Sequence, residues 1–112
     1  MPTSITRTYS RYSRDAAALF GALIRQARNE LKITAQELAD RAGISRGLLQ
    51  RIEKGNLKCE IGAVFEVAAI VGVKLFDAND STMTKHLHQT KEKLTLLPKS
   101  VRKKSKAVHD DF

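Results

Sequence analysis

TAQELADRAGISRGLLQRIE, residues 34–53, holds two complete helix openings and one glycine turn. Thr34-Ala35-Gln36-Glu37 is a capping box: a Thr hydroxyl can take the amide three residues on, while the Glu carboxylate returns to the Thr amide. It predicts a short helix through Arg41 with Leu38 and Ala39 turned inward. Gly43 follows, where a left-handed backbone is needed to stop a helix and only glycine adopts it without steric cost. Ser45 then opens a second helix to Glu53, with Leu49 and Ile52 inward and Gly55 closing it. A capped helix, a glycine turn and a second capped helix form a helix-turn-helix unit.

Such a unit lays its second helix in the DNA major groove while the first crosses the backbone. Arg46, Gln50 and Arg51 fall on the outward side of residues 46–53. Arg pairs bidentately with guanine O6 and N7, Gln with adenine N6 and N7, and an apolar side chain such as Leu48 can pack a thymine methyl or serve as a partner contact. The candidate base contacts are therefore Arg46, Gln50 and Arg51, with Gly47 and Leu48 between them. Gly47 removes one possible contact and weakens the helix by about 1 kcal/mol relative to Ala. Thr34, Gln36 and Ser45 at the helix openings, with Lys54, Asn56 and Lys58 in the next loop, are the candidate phosphate contacts.

Outward from this unit, Ala16, Leu19, Phe20, Leu23, Ile24, Ala27 and Leu31 recur at steps of three and four, the helical period. Asp15 is the expected N-cap of that helix. Residues 1–14, polar and basic, are expected to be an arm. Residues 60–71 predict another apolar helix with Ile61, Val64, Phe65, Ala68 and Val71 inward and Gly72 at its end, and Leu75 with Phe76 sealing the core. Beyond Asn79-Asp80-Ser81, Met83, Leu87, Thr90, Leu94 and Leu97 are spaced as a coiled-coil seam over two heptads. Pro98 stops it. One narrow stripe seldom folds alone, so this helix is expected to lie on the body or to pair with a second copy. The expected organisation is an arm at 1–14, a DNA-binding domain at 15–78, a dimer or partner helix at 79–97 and a basic tail at 98–112 ending Asp110-Asp111-Phe112.

The chain has 112 residues, 42% of them apolar, and a net charge of +8. Six of those eight charges lie in residues 1–14 and 98–112, which suits a polyanion reached partly by basic ends, although such ends also serve solubility. Aromatic residues are 5% with no Trp, too few for a platform that stacks single-stranded bases. No apolar run reaches the 18 or so residues of a membrane span, and residues 1–14 lack the apolar core of a secretory signal, so a soluble, cytoplasmic protein is expected. Their Ser, Thr and Arg content without acids also fits an organellar transit peptide. Cys59, the single cysteine, excludes an intrachain disulfide and a cysteine zinc cage; it reads as small filler, with a redox switch as the alternative. His86, His88 and His109 do not have metal-ligand spacing. No nucleophile elbow or phosphate-cradling glycine loop is present, so no enzyme, metal or cofactor is expected.

The run FGALIRQAR (20–28), Leu38-Ala39, Gly43-Ile44-Ser45-Arg46 and Ile52-Glu53-Lys54-Gly55 resembles the Cro/C1-type (XRE, lambda repressor-like) helix-turn-helix family over residues 19–76. The resemblance implies an all-α, five-helix domain, here followed by an extra C-terminal helix and basic tails. It also implies a homodimer on pseudo-palindromic double-stranded operator DNA, in a bacterial cytoplasm, and an internal ion pair between Arg28 and Glu53. The chain departs from the family in having Ala35, with Gln36 beside it, where a DNA-touching Gln is common. Leu19 and Leu23 stand where polar residues are frequent, which marks them as core overflow or as a subunit or partner surface. Residues 48–55, Phe65-Glu66-Val67-Ala68, Leu75-Phe76-Asp77 and the tail Val101-Arg102-Lys103-Lys104 to Phe112 resemble HipB-like antitoxins. That resemblance implies a repressor of its own operon that binds a HipA-like Ser/Thr kinase toxin. Met83, Leu87, Leu94, Leu97, Leu19, Leu23 and Phe112 are then the candidate dimer or partner residues. A stand-alone phage- or plasmid-type repressor, and an adaptor that has lost DNA binding, are the alternatives.

Overall fold

The computed structural model describes residues 8–76 and 78–101. Among them the chain is entirely helical: α1 (Arg11–Glu30), α2 (Ala35–Ala42), α3 (Arg46–Glu53), α4 (Ile61–Val71) and α5 (Asp80–Thr95). It divides into two units between Leu75 and Phe76. The all-helical class holds, with four helices ahead of Leu75 and the fifth at Asp80–Thr95.

Local chemistry sets the first unit. α1 begins one turn before the expected Asp15, because Ser10 accepts the Ser13 amide through its hydroxyl at 3.1 Å and caps the helix. Residues 11–14 are thus helical rather than part of an arm, and Asp15 instead faces Arg11 at 3.8 Å on the exposed first turns. Arg7 and the residues before it lie outside the described part. At the far end Lys32 takes φ 58°, a left-handed conformation that usually falls to Gly or Asn. Its amide donates to Asn29 and that of Ile33 to Arg28, which ends the helix and turns the chain into α2.

The capping box at α2 forms in both directions, Glu37 N–H to Thr34 Oγ1 at 3.1 Å and Thr34 N–H to Glu37 Oε1 at 3.0 Å. Those bonds hold the Glu37 carboxyl below the usual carboxylate range, the backbone bond from Thr34 being the larger cause. Gly43 closes α2 at φ 70°. The core gathers Ile24, Leu38, Ala39, Leu49, Ile52, Ala63, Val67, Ala68 and Val71, one apolar side from each of the four helices.

Two expectations about the core change. α4 turns Ala63, Val67, Ala68 and Val71 inward, leaving Ile61 and Phe65 exposed and Val64 half-buried. Small alanines allow α4 to approach its neighbours closely. Leu75 is exposed and does not seal the core, and Phe76, the first residue of the second unit, is exposed as well. In the first helix Leu19, Leu23 and Leu31 are likewise exposed, while Phe20 and Ala27 pack partly against the core. Cys59 packs partly against it too, as filler would.

In the second unit Asn79 caps α5 by accepting the Thr82 amide at 2.9 Å. α5 has no buried residue; Met83, Leu87 and Leu94 form its exposed stripe. Leu97 falls beyond the last helical residue, Thr95, and so leaves the heptad seam one position short. Phe112 lies outside the described residues, as do Asp110, Asp111, His109 and the basic run from Arg102.

Candidate nucleic-acid interface

Eight residues make α3, and its hydrogen-bonded cap fixes where each side chain points. Ser45 Oγ accepts the Leu48 amide at 3.0 Å, leaving its hydroxyl hydrogen to donate outward. At about 100° per residue, Arg46, Gly47, Gln50, Arg51 and Lys54 share one arc of roughly 140°, and all five are exposed. Leu49 and Ile52 lie opposite, buried in the core. Leu48 is half-buried and packs partly against the core, so much of its side chain is spent on the inside.

Gly47 gives this surface its shape. A Cβ built there would stand 3.8 Å from Arg51 Nη1 and 4.0 Å from Ser45 Oγ. The Arg51 guanidinium therefore lies back over the first turn of α3, within ordinary van der Waals range of where a Cβ on Gly47 would stand. Among the described residues the ion pairs are Arg11–Asp15, Arg28–Glu53 and His88–Glu92. None involves Arg46, Arg51, Lys54 or Lys58, so the face carries unneutralised positive charge.

The flanking loop continues the polar surface. Asn56 Oδ1 accepts the Lys58 amide at 2.7 Å, a tight turn that leaves the Asn56 amide hydrogens and both lysines facing solvent. Thr34 and Ser45 are exposed at the openings of α2 and α3. Gln36 is exposed but donates Nε2–H to Asp40 Oδ1 at 2.9 Å, so one of its two amide hydrogens is already engaged.

Behind α3 stands a rigid support. Arg28 reaches from α1 to Glu53 with Nε to Oε2 at 2.7 Å and Nη2 to Oε1 at 3.0 Å, and its Nη1 donates to the Ile33 carbonyl at 3.1 Å. The two side chains are 12% and 8% exposed. The bidentate bond to Glu53 raises the Arg28 pKa above its ordinary value, so the guanidinium stays charged throughout the range of ordinary buffers. Two glycines let the helices meet. A Cβ on Gly21 would strike the backbone carbonyls of Ile52 and Glu53, and one on Gly55, at φ 80°, would fall 2.6 Å from Ala18 Cα. The sequence signal for Gly21 was its place inside an apolar helical run, where a glycine marks close packing.

Residues 24–75 match the XRE-type family model described as Helix-turn-helix. Over these 52 of its 112 residues the chain is similar to a helix-turn-helix domain. The matched family is a DNA-binding regulatory one rather than a catalytic one, and it supports a DNA-binding transcription regulator. No curated protein and no solved structure matches the chain. Among the described residues, no helix is long and apolar enough to cross a membrane, and no group of three or more His, Cys, Asp or Glu could hold a metal ion. The matched segment contains α2, α3 and α4 in full and begins at Ile24, within α1.

Proposed function

We propose that this helix-turn-helix protein is a sequence-specific repressor that binds operator DNA as a dimer in a bacterial cytoplasm. The exposed arc of α3 carries the proposal: it offers two arginines and a glutamine, the side chains best suited to guanine and adenine edges, on a helix held rigidly from behind. Arg46, Gln50 and Arg51 read bases, with Gly47 making room for Arg51 and Leu48 offering what remains of its side chain to a thymine methyl. Thr34, Gln36, Ser45, Lys54, Asn56 and Lys58 hold phosphates and set the register of α3 in the groove. These retained groups weigh against an adaptor that no longer binds DNA. Selection of bound duplexes from a random library tests this. One enriched motif with two half-sites about 34 Å apart is expected, and affinity should fall on the order of 10³-fold or more between 50 and 200 mM salt. Equal affinity for all duplexes would overturn it.

The finer role is that of a HipB-like antitoxin whose partner is a HipA-like Ser/Thr kinase toxin. Its support is the resemblance in residues 48–55, 65–68 and 75–77 and in the tail. Phe112, behind Asp110 and Asp111, is an anchor suited to an apolar pocket with a basic rim. Removing Val108 to Phe112 should leave operator binding intact and weaken kinase capture in calorimetry. Unchanged kinase affinity would refute the assignment and return the chain to a stand-alone repressor.

A further inference from the structure

α1 carries an apolar stripe that faces away from its own domain. Tyr12, Ala16, Leu19, Leu23, Gln26 and Glu30 fall within about 40° of a single line along the helix at 100° per residue. All six are exposed, Tyr12 at 82% and Leu19 at 61%. Gly21, the residue pressed against the end of α3, lies about 180° from that line. The stripe is thus on the far side of α1 from the DNA-facing helix.

We propose that this stripe is the subunit interface, formed by α1 of a second copy packed antiparallel across a two-fold axis at Gly21. A two-fold interface pairs each residue i with j and j with i. Centred on Gly21, Leu19 meets Leu23 of the second copy, Ala16 meets Gln26, and Tyr12 meets Glu30. Apolar faces apolar in the middle, and at each end a phenol hydroxyl can donate to a carboxylate. Arg11, beside Tyr12 and held to Asp15 of its own helix by a 3.8 Å contact at an exposed site, can turn its guanidinium to the same Glu30. One register sets the leucines together while Gln26, opposite Ala16, keeps its 3.3 Å bond to Glu30 of its own helix, and the ends are complementary in charge.

Spacing agrees with the DNA-binding function, on which this part of the inference rests. α3, α1, the second α1 and the second α3 follow one another across the axis. Packed helices lie 8–10 Å apart, which puts the two recognition helices roughly 24–30 Å apart, close to the ~34 Å between adjacent half-sites. The α5 stripe fits a second copy less well. Lys91 and Lys93 flank it, and no acid occupies the corresponding flanking positions among the helical residues, so self-pairing sets like charges together.

Sedimentation equilibrium on the full chain tests the interface without DNA, so failure of the DNA-binding function would leave the result unaffected. The wild type should be a dimer, and Leu19→Glu should weaken association by about tenfold or more while circular dichroism stays unchanged. Arg11→Glu and Glu30→Arg should each weaken the dimer, and the two together should restore it. That rescue keeps the test decisive even where Leu19→Glu perturbs the fold. Leu87→Asp with Leu94→Asp should leave the dimer intact. A monomeric wild type, an unaffected Leu19→Glu dimer, no rescue by the charge swap, or a dimer lost through the α5 variant would each overturn the proposal.

Discussion

Replacing Glu53 by Ala removes the carboxylate that neutralises Arg28 at the joint between α1 and α3. Arg28 Nε and Nη2 lose bonds of 2.7 and 3.0 Å, and only the 3.1 Å bond from Nη1 to the Ile33 carbonyl remains. Breaking a buried pair costs about 3–5 kcal/mol, because the stranded charge keeps its desolvation penalty without its partner. Side chains at 12% and 8% exposure retain some access to water, so the lower end, about 3 kcal/mol, is expected here. A small domain has roughly 5–15 kcal/mol in total, and each kcal/mol moves Tm by about 4–8 °C at this size. The variant should therefore melt about 12–24 °C lower. Arg28→Met with Glu53→Leu removes both charges, and its loss should be much smaller than the sum of the two single losses. Urea titrations of the four proteins give the coupling directly. A Glu53→Ala cost below about 1 kcal/mol, or additive single losses, would show that the pair is too well solvated to brace α3.

Other consequences can be checked alongside. Lys32→Gly should stabilise the protein by about 1 kcal/mol in chemical denaturation, since φ 58° costs a lysine and not a glycine; no gain would mean the turn relaxes in solution. Gly55→Ala should cost roughly 1–3 kcal/mol, by overpacking against Ala18 and by strain at φ 80°. Glu37 has a depressed pKa when folded, so its contribution is present above the unfolded carboxylate pKa and lost as pH falls through the folded value. Glu37→Gln should accordingly flatten the acid limb of the stability curve, and an unchanged limb would place the acid sensitivity in other carboxylates. Arg46→Ala or Arg51→Ala should lose about 1–3 kcal/mol of operator affinity at particular base pairs with Tm unchanged. Full activity of both on the selected operator would move base reading off α3.

What could be read from the sequence was local chemistry. Thr34 with Glu37, Gly43 and Ser45 act within three or four residues of themselves, and each forms the cap or turn its side chain dictates. Leu49 and Ile52 were legible for a related reason: α3 is polar on one side, so only one face can go inward. α4 offered no such contrast. Apart from Glu66, every residue of IGAVFEVAAIV is apolar or glycine, so several faces fit a helical period, and the choice fell to how closely neighbours approach. Ala63 and Ala68 win that choice over Ile61 and Phe65 because they are small. The start of α1 was obscure because Ser10 and Asp15 are both capable caps, and residues 11–14 show no apolar rhythm. Lys32 carried no signal at all, since its conformation is imposed by the turn between α1 and α2.

The same contrast explains how the exposed face of α3 acquires rigidity. An eight-residue helix is too short to be stable alone, and α3 also contains Gly47, which lowers its helical tendency further. Its N-terminus is fixed by Ser45, its inner side by Leu49 and Ile52, and its C-terminus by Gly21, Gly55 and the Arg28–Glu53 pair. All three of those C-terminal constraints involve contact with α1, so α1 is the frame against which the exposed side chains of α3 are held. If α1 also forms the subunit interface, one helix carries both the aim of α3 within a subunit and the spacing between subunits. A change on the outer side of α1 should then alter operator spacing or affinity through the dimer, whereas a change on its inner side alters it through the fold.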